Sequence, residues 1–189
     1  MKRIIQETED GSKTIYIEDW NESYHSKHGA VQEAMHVFIK NGFSHFIATK
    51  KPLKILEIGL GTGLNAFITL LEAEKNQQYV NYVGIEKFPV LKAEFDAIDF
   101  FDDVFKFYPE LAHRKEELHV IYRYLFLSDW ENWQIISPYF RIKKVKDDFF
   151  NLKNCNENEF DLVYFDAFGS QVQPEMWEKE LFEIIDSTT

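Results

Sequence analysis

Three glycines at alternate positions, directly after an apolar segment, constrain this chain more than any other feature. Residues 54–58 (Lys-Ile-Leu-Glu-Ile) have the composition of a buried strand, and Gly59, Gly61 and Gly63 follow before a helix-like segment. Glycine at such positions permits a sharp turn or a close approach to a ligand, because a Cβ would clash there. The spacing differs from the dinucleotide pattern G-x-G-x-x-G and lacks the Gly-Lys-Ser/Thr ending of phosphate-binding loops. The sequence therefore predicts a strand–turn–helix unit for another kind of cofactor.

The bulk composition predicts one globular domain with a sizeable core. The chain has 189 residues, of which 45% are hydrophobic and 16% aromatic, and this excludes disorder. We expect residues 1–48 to form a hairpin and helix extension of the same domain that contains a core at 49–189. No apolar run approaches the ~20 residues of a membrane span, and the early acidic residues do not fit a secretory signal. A single cysteine, Cys155, excludes an internal disulfide and predicts a cytoplasmic location.

The net charge of −11 argues against a partner that is gripped through its phosphates, because such proteins usually have a basic surface. Positive charge is locally concentrated in two short clusters. Either these are solvated strand ends or edges, or they form a small basic patch that contacts nucleic acid. The clusters are Lys50, Lys51 and Lys54, and Arg141, Lys143, Lys144 and Lys146.

Hydrophobic periodicity predicts strands that alternate with helices, and hence a parallel sheet with helices on both faces. Asp10-Gly11 is a turn signal inside an N-terminal hairpin, and four core strands should lie in the spatial order 3-2-1-4. The aromatic stretch 101–138 is interpreted as helical excursions covering one sheet edge. The period-two alternation at 140–146 is typical of a half-exposed edge strand. The predicted elements are a hairpin at 1–20, helices at 30–47, 63–75, 89–100 and 174–185, and strands at 53–58, 80–86, 140–146 and 160–165.

Acidic side chains follow several of these strands, at the end where open α/β sheets bind ligands. Glu86 ends the second strand, where its two oxygens can accept both hydroxyl protons of a ribose. Glu57 either meets an amino group of the ligand, directly or through water, or orients the glycine loop by backbone hydrogen bonds. Asp147 and Asp148 close the third strand. One of them is expected to accept from an adenine amino group, with Asp148 preferred because two phenylalanines follow it. Asp166, at the mouth of the fourth strand, is the candidate for contacting the acceptor.

Metal and nucleophile chemistry find little support. His25 and His28 have no suitable cysteine or clustered carboxylate beside them, so we expect no metal. Ser26 is in no nucleophile elbow, and Cys155 stands in a polar loop.

The motif Glu57-x-Gly59-x-Gly61-x-Gly63 resembles the first motif of class I S-adenosylmethionine-dependent methyltransferases, which have a Rossmann-like sheet. That resemblance implies seven strands, whereas the chain offers too few after residue 165. We therefore expect the C-terminal strands to be missing from this chain. Either the chain is a fragment or lacks ordered C-terminal residues, or another chain completes the sheet and covers the exposed edge of strand 160–165.

Two further segments make the resemblance more specific. Residues 24–33 (Tyr-His-Ser-Lys-His-Gly-Ala-Val-Gln-Glu) and Phe165-Asp166-Ala167-Phe168, followed by residues 173–177 (Gln-Pro-Glu-Met-Trp), resemble the MnmC-like/MnmD tRNA methyltransferases in the same order. The similarity extends over about residues 15–185. It implies methyl transfer from S-adenosylmethionine to 5-aminomethyl-(2-thio)uridine at the tRNA wobble position.

The same resemblance implies site roles and partners. Gly59, Gly61, Gly63, Glu86 and Asp148 would bind the cofactor, with Glu57 and Asp147 beside them, and Asp166 would position the amine. The tRNA substrate would contact Tyr24, His25, Lys27 and Phe168. We expect the stand-alone type, without the FAD oxidase domain of bifunctional members. The alternatives are a methyltransferase of a small molecule or protein, and an inactive cofactor-binding assembly module.

Overall fold

An antiparallel sheet of three short strands forms the N-terminal part of this computed structural model. It contains β1 (Arg3–Glu7), β2 (Lys13–Ile17) and β3 (Glu22–Ser23), in the order β1-β2-β3. The predicted hairpin is confirmed, and its Asp10-Gly11 turn lies outside the described residues. The structure describes residues 2–7, 13–24, 29–47, 51–154 and 159–189.

The central sheet has five strands in the order β6-β7-β5-β4-β8 among the described residues. Strands β7, β5, β4 and β8 are parallel, which confirms the predicted spatial order 3-2-1-4. Strand β6 joins the end of the sheet antiparallel to β7. The bounds are β4 (Leu53–Ile58), β5 (Val80–Ile85), β6 (Gln134–Ser137), β7 (Phe140–Val145) and β8 (Leu162–Phe165).

The expectation that the strand at 140–146 lies at the sheet edge is wrong, because β6 pairs with it and takes the outer position. The alternation in β7 reflects the difference between its two faces. Phe140, Ile142 and Lys144 are buried on one face. Lys144 Nζ donates to the carbonyls of Leu125 at 3.3 Å and Phe126 at 2.6 Å, at the end of a helix. Lys144 can thus occupy a core position because its ammonium group binds carbonyls at the C-terminal end of a helix.

Helices cover both faces of the central sheet, as the sequence predicts. Residues 101–105 and 109–127 are helical as expected, but residues 134–137 form a strand instead of a further helix. The helix predicted at 30–47 begins as an α-helix and continues as a π-helical segment at 35–40. The α-helices are α1 (Ala30–Ala34), α2 (Leu64–Asn76), α3 (Lys92–Ile98), α4 (Phe101–Phe105), α5 (Lys115–Leu127) and α6 (Lys179–Asp186), and 3-10 turns span Phe43–His45, Pro109–Arg114, Phe149–Asn154 and Pro174–Trp177.

Two apolar clusters hold these layers together, one on each face of the sheet. On one face Ile55 and Tyr82 pack with residues of α2 such as Phe67. On the other, Leu56 packs with Leu181 of α6. Successive side chains of a strand point to opposite faces. Glu57 of β4 therefore shares the face of Ile55, inside the larger cluster.

Candidate functional site

A cavity of about 560 Å³ opens at the carboxyl ends of β4, β5 and β8. This volume is in the usual range for small-molecule sites. The turn at Gly59–Thr62, the segment Glu86–Phe88 and the segment Phe165–Gly169 contribute to its walls, and α1 contributes Glu33. The N-terminal sheet and its loop add aromatic side chains. The predicted ligand end of the sheet thus carries a real cavity.

The glycine turn has the strand–turn–helix geometry that the sequence predicts. Gly59, Gly61 and Gly63 have φ angles of 90°, 52° and 75°, which disfavour other residues. At Gly59 a Cβ would stand 2.2 Å from the main-chain oxygen of Asp166. Gly59 therefore permits the end of β8 to approach the turn after β4. Gly59 and Gly61 line the cavity, whereas Gly63 is the residue before α2.

Glu86 lies at the cavity wall directly after β5, and only 7% of its surface is exposed. Its Oε2 accepts from the Gly61 N–H at 3.0 Å, and its Oε1 accepts from the Phe88 N–H at 2.7 Å. Each carboxylate oxygen can accept a second hydrogen bond. The side chain is thus fixed by the backbone and retains capacity for a ligand diol, and its ribose role stays a prediction.

Glu57 lies behind the cavity wall, with 0% of its surface exposed. Its Oε1 accepts from Asn65 Nδ2 and its Oε2 from the Tyr82 hydroxyl, both at 2.8 Å. Burial, and after it the negative charge of Asp166, raises the pKa of Glu57 well above its usual range. Glu57 is not among the residues that line the cavity, whereas its donor Asn65 is. Contact of Glu57 with a ligand amino group stays a prediction; among the described residues its carboxyl group holds the side chains of Asn65 and Tyr82.

The two aspartates after β7 face the following 3-10 turn. Asp148 accepts from Lys87 Nζ at 2.6 Å and from the Phe150 N–H at 3.2 Å. Burial would raise the pKa of Asp148, but these two donors outweigh it and hold that pKa below its usual value. Asp147 Oδ1 accepts from the Asp148 N–H at 2.7 Å and Asn151 Nδ2 at 2.8 Å. Neither aspartate lines the cavity, whereas Phe149 does; an adenine contact for either one stays a prediction.

Asp166 lines the cavity immediately after β8. Its Oδ2 accepts from Asn65 Nδ2 at 2.8 Å, and its main-chain N–H donates to the Ile58 carbonyl at 2.9 Å. The residue is exposed to the cavity, and the protein atoms around its carboxyl group remove part of its hydration. This desolvation raises the pKa of Asp166 to about 6, with Glu33 and Glu86 adding to it and the Asn65 bond opposing it. Asp166 therefore titrates close to neutral pH.

Aromatic rings gather beside Asp166. Phe168 makes edge-to-face contacts with Trp20 at 5.3 Å and Tyr24 at 5.2 Å between centroids. All of these rings line the cavity, and the Tyr24 ring lies 5.4 Å from the Arg3 guanidinium carbon. Arg3 also bonds Glu94 and the Pro89 carbonyl, both at 3.1 Å, and so attaches the N-terminal sheet to the segment after β5.

Several residues that line the cavity were not predicted, and three of them bear on its chemistry. Trp20, Glu33 and Asn65 all line the cavity. Asn65 could have been recognised as a polar residue in the first turn of a helix that follows the glycines. Of the predicted substrate contacts, Tyr24 and Phe168 line the cavity, and His25 and Lys27 lie outside the described residues.

The basic clusters lie partly away from the cavity. Lys54 is near the amino end of β4, where its Nζ is 3.9 Å from Glu159, and Arg141 Nε donates to Asn81 near the start of β7. These positions are at the opposite end of the strands from the cavity. Lys50 and Cys155 lie outside the described residues.

The described residues contain neither a metal-binding cluster nor a membrane-spanning helix. No group of three histidine, cysteine or acidic side chains there could hold a metal ion. Across the same ranges, every helix is too short or too polar to span a membrane.

Comparison with known proteins gives consistent matches. Proteins with the name tRNA 5-methylaminomethyl-2-thiouridine biosynthesis bifunctional protein MnmC share 29% identity over 176 residues in Leptospira borgpetersenii (86% of this chain, 25% of that protein). The Marinomonas sp. protein of that name shares 29% over 191 aligned positions (94% and 26%). The one from Campylobacter fetus shares 31% over 136 residues (70% and 21%). The chain thus spans about a quarter of the length of these relatives, and the resemblance to MnmC-like proteins is confirmed.

The fold is also that of a solved structure. The crystal structure of MNMC2 from Aquifex aeolicus matches 99% of this chain and 56% of its own chain, with a TM-score of 0.73 and 23% identity. The predicted Rossmann-like α/β class is therefore confirmed. No protein-family model matches the chain.

Proposed function

We propose that this chain is an S-adenosylmethionine-dependent N-methyltransferase acting on 5-aminomethyl-(2-thio)uridine at the wobble position of tRNA, in the cytoplasm. The product would be 5-methylaminomethyl-(2-thio)uridine. One observation carries the proposal: a single cavity joins the glycine turn, Glu86 and Asp166. The names of the MnmC relatives supply the substrate class.

The cofactor half of the cavity fits S-adenosylmethionine. A Cβ at Gly59 would meet the Asp166 backbone, and one at Gly61 would stand 3.4 Å from the Tyr24 ring, so glycine lets these cavity walls pack closely around the turn. Glu86 would bind the ribose hydroxyls through its remaining acceptor capacity. When bound, S-adenosylmethionine supplies a methyl group on a sulfonium, and the sulfur keeps the electron pair of the C–S bond that breaks.

The charge of the cavity suits an amine acceptor. The described lining carries the carboxylates of Glu22, Glu33, Glu86 and Asp166, against one lysine, Lys87, which is paired with Asp148. An alkylamine has a solution pKa near ~10 and is mostly cationic at neutral pH. Acidic walls attract that cation and also complement a sulfonium. They would disfavour a phosphate within the cavity itself.

Asp166 has two tasks in this mechanism. Only the neutral amine has the lone pair that forms the new N–C bond, and alignment of that lone pair supplies much of the acceleration. The ionised Asp166 would accept an N–H hydrogen bond and so orient the nitrogen. After transfer the nitrogen carries a positive charge, and Asp166 can accept the proton it loses. A carboxyl group with a pKa of about 6 is ionised at pH 7 but close enough to exchange protons.

The test is methylation of tRNA from cells that lack this gene, with methyl-labelled S-adenosylmethionine. We expect labelled 5-methylaminomethyl-(2-thio)uridine from the wild type. In Asp166→Asn the rate should fall at least about 100-fold while cofactor affinity stays within about threefold. Glu116→Gln, which neutralises an exposed carboxylate of α5 at constant size, is the control. Cofactor binding without any labelled wobble nucleoside would refute the proposal.

A small-molecule amine is the second candidate, favoured by the net charge of −11. Ionic strength separates the two substrates. Binding of tRNA through phosphate contacts weakens steeply as salt rises, whereas turnover of a small amine does not depend on counterion release. Equal turnover of a free aminomethyl nucleoside at 50 and 300 mM salt, with none on tRNA, would favour the small molecule.

A further inference from the structure

We propose that Asn65 is a positioning residue that holds the Asp166 carboxylate in its working orientation, and that the buried Glu57 in turn holds Asn65. This inference rests on the proposed function, since it assigns a supporting structure to Asp166. The four groups form one chain of hydrogen bonds: Tyr82 hydroxyl to Glu57, and Asn65 amide to both Glu57 and Asp166.

The geometry of Asn65 suits this role. Its Nδ2 is 2.8 Å from Glu57 Oε1 and 2.8 Å from Asp166 Oδ2. An amide nitrogen carries two hydrogens, so both bonds form together. A rotated amide would point its oxygen at both acceptors, so the pair of carboxyl groups fixes one orientation. The side chain is 5% exposed and spans from the core to the cavity wall.

Asn65 is itself held on a rigid element. It stands in the first turn of α2, and the Thr69 hydroxyl donates to its main-chain carbonyl at 2.7 Å. Tyr82 is fully buried in β5 and fixes the second oxygen of Glu57 at 2.8 Å. The network therefore ties the position of Asp166, after β8, to β4, β5 and α2. Sites supported in this way keep their geometry better than sites on free loops.

The burial of Glu57 is otherwise difficult to explain. A carboxyl group with 0% exposure is costly, and its described hydrogen bonds come only from the neutral Asn65 and Tyr82 side chains. An apolar side chain of similar size would fill the same space without that cost. Glu57 is therefore a poor choice for filling the core but a good one for holding the Asn65 side-chain amide. Its removal should be felt at Asp166, one bond further along the network.

Asn65→Leu removes both donors and keeps most of the side-chain volume. Loss of the Asn65 N–H removes a bond that stabilises the ionised Asp166. The carboxyl resonance of Asp166, followed by NMR with ¹³C-aspartate, should therefore titrate higher by about one pH unit. The acidic limb of the plot of kcat against pH should move by the same amount. At its plateau, kcat should fall about 10- to 100-fold with KM for S-adenosylmethionine within about threefold.

Asn76→Leu is the matched control, because Asn76 ends the same helix and bonds only Glu72 among the contacts described for its side chain. It should leave the Asp166 titration and kcat unchanged. If Asn65→Leu does not fold, Asn65→Ser tests the same loss, since its hydroxyl is too short to reach both acceptors. Glu57→Gln should lower kcat about tenfold, because the new amide can no longer accept from both donors.

The outcomes are distinguishable. If the folded Asn65 variants titrate at Asp166 within about 0.3 pH units of the wild type, the positioning role is wrong even where tRNA is methylated normally. If the titration moves as expected but the wild type methylates no tRNA, the network stands and the proposed substrate fails. If melting temperature and kcat fall in proportion while the acidic limb of the pH–kcat profile does not move, Asn65 has a structural role alone, and the inference is overturned.

Discussion

Replacing Gly59 by alanine should damage both the fold and the site, and the structure sets the size of the effect. At φ 90° an alanine is strained, which costs about 1–3 kcal/mol. Its Cβ would stand 2.2 Å from the main-chain oxygen of Asp166, and an ordinary contact requires a separation of roughly 1 Å more. Because the obstacle is backbone, no side-chain rotation relieves it.

The strands must therefore move apart at this point. The Asp166 N–H bond to the Ile58 carbonyl, now 2.9 Å, would lengthen or break, at about 0.5–1.5 kcal/mol. Together the two effects predict a loss of about 3 kcal/mol, a large part of the 5–15 kcal/mol that stabilises an ordinary domain. A displacement of Asp166 by about 1 Å should also lower kcat by on the order of 100-fold.

The assay is urea unfolding followed by circular dichroism, together with methyl-transfer kinetics. Gly169→Ala is the matched control, since it makes the same change in the segment after β8 with no heavy atom within 4 Å of the added Cβ. It should change stability by less than about 0.5 kcal/mol. Gly63→Ala should be intermediate, at about 1–2 kcal/mol, because its φ is 75° but its Cβ would only touch Leu125 at 3.5 Å. Equal stabilities for the Gly59 and Gly169 variants would refute the reasoning.

Three further predictions concern ligand binding, pH and packing. Glu86→Gln should weaken S-adenosylmethionine binding about 10- to 100-fold by calorimetry, because an amide cannot accept on both sides; an affinity equal to that of the exposed control Glu116→Gln would contradict the ribose role. The pKa of Asp166 is raised from 3.8 to about 6 in the folded protein, so its ionisation opposes folding. In urea unfolding, Asp166→Asn should therefore be more stable than the wild type above pH 6, and this advantage should shrink as the pH falls and vanish below pH 4. A stability difference that does not change with pH would contradict this. Lys144→Ala should cost about 2–3 kcal/mol, since it removes the side-chain donor to the Phe126 carbonyl, leaves the Leu125 carbonyl with only the Ser128 hydroxyl, and removes buried packing. The exposed Lys146→Ala should be near neutral, and similar unfolding midpoints for the two variants would exclude the capping role.

The sequence predicted the elements whose signal is local. The β4 and β5 segments are apolar runs bounded by turns, and α2 follows the glycines, so their positions were recognisable from neighbours alone. Strand β6 was missed because its residues Gln134–Ser137 are a four-residue stretch whose strand character depends on pairing with β7. The edge assignment of β7 failed for the same reason.

In the candidate site, too, the sequence predicted the residues whose placement depends on local signals. Glu86 and Asp166 follow strands directly, so their placement follows from the topology. The positions of Asp148 and Asn65 depend on partners far away in the chain. Asp148 turns toward Lys87, and Asn65 reaches Asp166 across 101 residues. Such pairings between distant residues leave no pattern in the local sequence. For the same reason the sequence did not predict that the Glu57 side chain is buried in the core and bonded to Asn65.

Trp20, held against Phe168 by an edge-to-face contact, is an intrinsic fluorophore at the cavity. Trp20 lies at the cavity wall, so an occupant that displaces water there changes the polarity around the indole and hence the wavelength of its emission. Trp130 contacts Lys144 near the sheet edge, and Trp177 packs against Phe165 at an angle of 80°. With the other indoles replaced by phenylalanine, fluorescence of Trp20 alone would follow filling of the cavity in real time, without a label on either ligand.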